Sequence, residues 1–405
     1  MKRTVFNVLF ATAVFLAGCD LEDPKSLKPD EVFVKYYGGE GIDTAFDFVV
    51  NTTGLEVDSY VMFGSSDSYL LTEQTVHTEW VLIFTDSGGN LMANGIKRFP
   101  VQDLLPSLPI VVAGQKVECI PSRIKKAADG GYLLIGSIKY DVKTNGVTVK
   151  QSDMLVVKVD EDGTYDQSSD VKLLGAYRTM PKVPATNPVT YDTLIFDHFG
   201  NDIVEISEGY ICVGTTTDVA DRDFPNVGTN DFYLVKLNAA LDTVWTKSDG
   251  TIADDFGEAV LSISGGTEIF VAISTKSTSV VNASSDFNAA MVKFPVTGSV
   301  KPENTAFIPI GSSAYDETVI KMVKLRDDDI FLTGNSAIAG GGATKPFLAR
   351  ITSNEVQLNS RIEVAAGVKV NDFYRTLGGR FVYAAETSGA DDGGTNGQQI
   401  LLMRT

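Results

Sequence analysis

The chain has 405 residues, with 34 basic and 52 acidic side chains and a formal charge of −18. A surface this acidic repels phosphate backbones, and no basic cluster offsets it, so nucleic acid is excluded as an expected partner. A hydrophobic content of 43% supplies a large core and excludes disorder, while two histidines, His77 and His198, make a histidine-rich metal centre hard to build. No metal and no cofactor are expected.

The first element is an address. Lys2 and Arg3 precede an apolar run from Val5 to Leu16, too short for a stable membrane span, and the run ends Leu16-Ala17-Gly18-Cys19. That ending resembles the bacterial lipobox, in which the cysteine is acylated and becomes the first mature residue. The acidic stretch Asp20, Glu22, Asp23 is similar to the export signal of surface-exposed Bacteroidetes lipoproteins, although an Asp after the cysteine marks inner-membrane retention in other bacteria. Three segments are therefore expected: a signal peptide over 1–18, a lipidated flexible tether over 19–30, which holds Pro24 and Pro29, and one folded domain over 31–405. The implied location is the cell envelope, as an outer-membrane lipoprotein facing either the surface or the periplasm, held to the membrane by lipid on Cys19.

Beyond residue 30 no helical periodicity persists, and short β-rich runs alternate with Gly/Asp/Asn turns. One run recurs with a basic residue near its end: Leu155-Val156-Val157-Lys158-Val159, Tyr233-Leu234-Val235-Lys236-Leu237 and Ala290-Met291-Val292-Lys293-Phe294, then Phe347–Ile351 with Arg350 and Leu401–Thr405 with Arg404. Val81–Thr85 is a degenerate first copy. Upstream of each lies an aromatic or apolar run that usually closes on glycine, as in Tyr60–Gly64, Tyr132–Gly136, Tyr210–Gly214 and Ile330–Gly334. With a strand-like run before and another after, each unit holds four strands and there are six units. This predicts an all-β, six-bladed β-propeller.

The last unit reaches Thr405 without a fourth strand, while residues 32–37 stand alone before the first unit. The orphan strand is expected to close the sixth blade and remove its free edge. A seventh blade is admitted if Leu105–Val112 hides additional strands, which Pro106 and Pro109 argue against. The units resemble the tandem Gly-Gly-Tyr / Asp…Val-Lys-Leu-Asp…Gly repeats of bacterial β-propeller lipoproteins over residues 31–405. The resemblance implies the fold and no particular activity.

In an up-and-down blade, the connections between the second and third strands share a face with those between blades. These are read as long, and the remaining turns as short, so one face carries the elaboration. Candidate ligand contacts in those connections are Tyr69, Tyr140, Tyr177, Arg178, Tyr191, Asp197, His198, Asp221, Arg222, Asp223 and Phe224, with Phe196 beside them. Aromatic faces beside Asp and Arg suit a sugar ring or a protein hot spot, and they equally suit loops anchored on their own blade. Asp160–Asp166 has the acidic spacing of a calcium loop but lacks the closing glutamate, and Asp-Gly is ordinary turn chemistry. Asp43, Asp255, Asp316 and Asp372 recur before the first strands and read as turn residues. No nucleophile elbow, phosphate loop, HExxH or CxxC is present. Cys119 and Cys212 read as buried thiols, with a disulfide between them as the alternative. The leading expectation is a non-catalytic, monomeric binding module for a glycan or protein partner. The alternatives are a glycan-acting hydrolase with acidic residues in the central pocket and a scaffold subunit of an outer-membrane complex.

Overall fold

The computed structural model describes residue 37 and residues 43–404, apart from 55, 68–77, 107–116, 145–146, 176, 182–190, 218–228, 278–279, 281–286, 299–306, 313, 327–328, 339–343, 353–354, 362–367, 376–380 and 388–398. Blade I is built from β1 (Asp43–Thr53), β2 (Glu56–Ser66), β3 (Glu79–Asp86) and β4 (Leu91–Phe99). A one-turn helix, α1 (Val101–Leu104), leads to blade II: β5 (Val117–Lys126), β6 (Tyr132–Thr144), β7 (Val147–Val159) and β8 (Val171–Leu174). A separate hairpin, β9 (Tyr177–Pro181) with β10 (Tyr191–Ile195), precedes blade III: β11 (His198–Ile206), β12 (Gly209–Thr216), β13 (Asp231–Leu237) and β14 (Thr243–Asp249). Blade IV is β15 (Asp255–Ile263), β16 (Glu268–Thr275), β17 (Asn288–Pro295) and β18 (Phe307–Pro309). Blade V is β19 (Tyr315–Arg326), β20 (Asp329–Ile338), β21 (Lys345–Thr352) and β22 (Glu355–Arg361). Module VI has three strands, β23 (Val368–Arg375), β24 (Phe381–Thr387) and β25 (Gln399–Arg404).

The fold is thus an all-β propeller of antiparallel meanders, with five complete blades in place of the expected six or seven. The first strands of blades I and II pack directly on each other, and Ile124 N donates to Asp47 Oδ2 at 3.1 Å, which leaves no room for a blade between them. No described residue supplies module VI with a fourth strand. The segment expected to do so, 32–37, lies outside those residues except for Tyr37.

Each wall between blades is a separate core, and its composition follows from the strand's place in the sheet. Second strands are covered by neighbouring blades on both faces, so β12 is buried along its entire length. Outer strands face water on one side, and β14 is half exposed. Phe63, Trp80, Leu82, Tyr132, Leu134 and Leu155 fill the wall between blades I and II. Leu133, Ile135, Val156, Ile203, Cys212 and Val235 fill the next wall, and two further clusters repeat the arrangement around the ring. Polar pegs from the second strands cross these walls in one direction. Ser137 Oγ accepts Gly200 N, Ser274 Oγ accepts Val319 N, and Asn335 both accepts Val370 N and donates to Val370 O. In each case the second strand of one blade holds the first strand of the next.

Two repeated sequence features acquire a cause. In blades II to V the basic residue of the third strand pairs with an acid at the first hairpin of its own blade: Lys158 with Asp129 (2.7 Å), Lys236 with Glu208 (2.8 Å), Lys293 with Glu268 (2.9 Å) and Arg350 with Asp329 (2.8 Å). The terminal glycines sit where strand one crowds strand two. A Cβ on Gly64, Gly136, Gly214 or Gly334 would lie 1.7–2.2 Å from a first-strand carbonyl oxygen.

Candidate functional site

All six first strands break register at the same level. Each carries one extra residue relative to its partner strand: Phe46, Ser122, Asn201, Glu258, Ile320 and Asn371. A bulge of this kind re-aims the residues around it. The extra residues are all at least partly exposed, and those that follow are Asp47, Arg123, Asp202, Ala259, Lys321 and Asp372. Five of these six are buried, and the Lys321 side chain is 14% exposed.

The bulges bring charges from separate blades into contact. Lys321 Nζ of blade V lies 2.6 Å from Asp372 Oδ1 of module VI and 3.2 Å from Asp47 Oδ1 of blade I. Arg123 Nε lies 3.9 Å from carboxylate oxygens of both Asp47 and Asp202, and its Nη2 donates to Ile320 O at 2.8 Å. Lys125 completes the set at 3.2 Å from Asp202. Backbone amides take other lone pairs: Val260 N donates to Asp202 and Phe373 N to Asp372. Three cations and three aspartates therefore balance inside the ring, which is how buried charges are tolerated.

This balance sets the acidities. Burial by itself would raise Asp47, but Lys321, Arg123 and Lys125 outweigh it and hold the carboxyl at about 2. Burial raises Asp372 to about 6, with Lys321 opposing and the neighbouring Asp47 charge adding to the rise. Two carboxylates sharing one ammonium are thus pushed apart. Glu258 stands outside the neutral set. Burial raises it to about 7, against the pull of Ser274 and Arg123. It is a partly exposed carboxyl that titrates near neutrality.

The residues chosen from sequence are not gathered at one point. Tyr140 lies within β6, buried, and its hydroxyl donates to Asp153, which also accepts Gln151 Nε2 at 2.9 Å. The expectation of a loop there is corrected: β6 and β7 pair as far as Thr144 and Val147, so the connection is the two residues Asn145-Gly146, an Asn-Gly hairpin signal. Asp197, just before β11, ties blade III to β7 of blade II by accepting Ser152 N at 2.7 Å, while its backbone amide donates to Thr217 Oγ1. Tyr177, Arg178 and Tyr191 lie on the β9–β10 hairpin, where Tyr177 pairs with Ile195, Arg178 with Leu194 and Tyr191 with Pro181. Tyr69, Asp221, Arg222, Asp223 and Phe224 lie outside the described residues, as does Cys19. Asp372 is corrected from a turn residue to an axial one, whereas Asp43 and Asp255 open β1 and β15. The Asp160–Asp166 segment is a closed turn, with Thr164 Oγ1 donating to Asp162 at 2.8 Å. Among the described residues, no group of three or more His, Cys, Asp or Glu side chains could hold a metal ion. Cys119 and Cys212 are free and buried.

His198 opens β11 and is buried against Tyr233, ring centroids 5.0 Å apart at 62°. Both line a cavity of about 240 Å³ in the cleft between blades II and III. Its outer walls are β8, from Lys172 to Leu174 with Gly175 following, and the β14 hydroxyls of Thr243, Thr246 and Ser248. Tyr233 pairs with Ser248 and Val235 with Thr246 across β13 and β14, which places these side chains on the sheet face turned to blade II. Sequence reading picked out His198 but none of its neighbours, because they come from four other strands, β8, β12, β13 and β14, of two blades.

No protein-family model matches this chain, and no curated protein matches it. Among solved structures, it is similar to B. megaterium levansucrase, at 10% identity over 80% of this chain and 86% of that one, with a TM-score of 0.35. A thermostable family-43 glycoside hydrolase gives 10% identity over 81% and 97% of the two chains, with a TM-score of 0.35. Drosophila Plexin A gives 8% identity over 85% and 86%, with a TM-score of 0.33. Likeness at this level fixes neither activity nor ligand, so the chemistry rests on the residues of this chain.

Proposed function

We propose that this chain is a cell-envelope lipoprotein whose propeller binds a glycan or a protein partner around the mouth of its axis and the connections beside it. The observation that carries the reading is the repeated bulge. It leaves Phe46, Ser122, Asn201, Glu258, Ile320 and Asn371 accessible next to charges that are already neutralised. An aromatic face, two amides and a hydroxyl suit a ring bearing hydroxyl groups, and the compensated aspartates have no need of a ligand cation.

A second reading, a glycan-acting hydrolase, is favoured by Glu258 alone: a carboxyl poised near neutrality can donate and recover a proton, as a general acid must. A polysaccharide panel separates the two. Retardation without product release supports the binding module. Product release that Glu258→Gln abolishes while binding persists replaces it with the hydrolase, and neither outcome with any glycan points to a protein partner.

The ring is completed, in this reading, by residues 32–37 pairing with β25 as the fourth strand of module VI. Tyr37 supports it: its hydroxyl donates to Gly89 O in the β3–β4 turn of blade I, the blade that would flank that edge. Cysteines introduced at Phe33 and Leu402 should cross-link if the segment closes the sheet, and fail to if it does not. Residues 1–18 act as the signal peptide, 19–30 as the tether, and Cys19 as the lipid site holding a monomeric domain to the outer membrane. Acyl labelling lost in Cys19→Ser tests the anchor.

A further inference from the structure

We propose that the cleft between blades II and III is a second binding site, for one small hydroxylated anion of monosaccharide size carrying a carboxylate or a phosphate. It is separate from the axial mouth and stands whether or not the reading above does.

The cation comes first. Lys172, on β8, lines the cavity and makes no ion pair or side-chain hydrogen bond among the described residues. Lys158, Lys236, Lys293, Lys321 and Arg350 are all engaged by carboxylates. An acidic chain that leaves one ammonium uncompensated on the wall of a cavity presents it to a ligand charge. The hydroxyls come second. Ser248 Oγ is buried with no hydrogen-bond partner among the described residues, and a buried polar atom left in this state costs about 1–3 kcal/mol, which a ligand oxygen would relieve. Thr246 and Thr243 extend the same row along β14, and the packed rings of His198 and Tyr233 line the inner side.

Size decides the class. At about 240 Å³ the cavity falls below the range of about 300–1,000 Å³ of drug-sized pockets, a size that suits one sugar ring or a hydroxy acid. Leu174 and the Tyr233 ring are the apolar part of the lining, beside the ammonium and the hydroxyls, consistent with a ligand polar on much of its surface.

The test is calorimetric titration of the full chain with D-glucuronate, D-glucose 6-phosphate and D-glucose in parallel, repeated on Lys172→Gln and Ser248→Val. The expected result is one site, at least tenfold tighter for one of the two anions than for glucose, and weakening with added salt. Lys172→Gln should lose that tenfold preference, whereas Ser248→Val weakens anion and glucose together. The anion preferred distinguishes a carboxylate site from a phosphate site. Glucose binding as tightly as both anions overturns the proposal. So does the absence of binding by either anion, or an affinity unchanged in Lys172→Gln whose thermal melt matches the parent.

Discussion

Replacing Lys321 with methionine removes the ammonium shared by Asp47 and Asp372 while keeping most of the stem's volume. At separations of 3.2 and 2.6 Å, the gross attraction is about 5 and 6 kcal/mol at an effective dielectric constant of 20. Most of that is offset by the cost of burying the charges, and removal of one partner from a buried cluster costs about 3–5 kcal/mol net. That is a large part of a typical stability of about 5–15 kcal/mol. Urea denaturation should therefore show a midpoint far below the parent at pH 8. The sign with pH follows from Asp372, whose folded value of about 6 lies above its ordinary one. As pH falls through that value the carboxyl takes up a proton and no longer needs a cation, so the gap between variant and parent narrows toward pH 5. Adding Asp372→Asn to the variant should recover more than half of the loss at pH 8. A loss below about 1 kcal/mol, or one that does not change with pH, would refute the view of Lys321 as the shared counter-ion.

Glu258→Gln should leave stability near pH 4 unchanged and raise it at pH 8. The carboxyl's folded value of about 7 exceeds its unfolded one, so the native state is penalised as pH rises through 7, by about 3 kcal/mol at most; melts at the two pH values check this. Gly214→Ala should cost about 1–3 kcal/mol, because its Cβ would meet Phe199 O at 1.7 Å. Gly54→Ala, at φ +64° with open space around it, should cost less, and denaturant curves rank the two. Cys119 and Cys212 are buried, and burial pushes both thiols up, Cys119 to about 12. Native protein should therefore resist alkylation at both, and unfolded protein should be labelled at both, as mass spectrometry would show.

The repeat was legible because its signals are local. Runs such as Tyr210–Gly214 and Tyr233–Leu237 carry apolar residues on both faces, which only a strand sheltered between two sheets requires, and both fall within β12 and β13. The axial charges were hidden for the opposite reason. Asp47, Arg123 and Asp202 each sit in a strand whose polar residues read as facing solvent, and they become buried only when first strands from different blades converge. The bulge adds a further obstacle, since one extra residue reverses the inside-outside alternation that a period of two presumes. Tyr140 was misplaced although the signal was there: Ile138, Tyr140 and Val142 alternate with Lys139, Asp141 and Lys143 ahead of Asn145-Gly146, the pattern of a strand running into a hairpin. The cleft around His198 is assembled across blades II and III, and no spacing along the chain encodes that juxtaposition. Blade number depended on a strand far from its partners in sequence, which is the part of a closed ring that local pattern serves least.

The polar pegs from Ser137, Ser274 and Asn335 all point the same way along the chain, each from an earlier module to the one that follows. Each of these three contacts therefore offers the incoming sheet an edge already made, while Ala128 N, Ser152 N and Ser262 O wait for Glu205, Asp197 and Lys324 of the part that follows. For a polypeptide delivered from one end, such polarity lets the wheel grow spoke by spoke. The unavoidable long-distance search is deferred to a single event, when the last spoke meets the first.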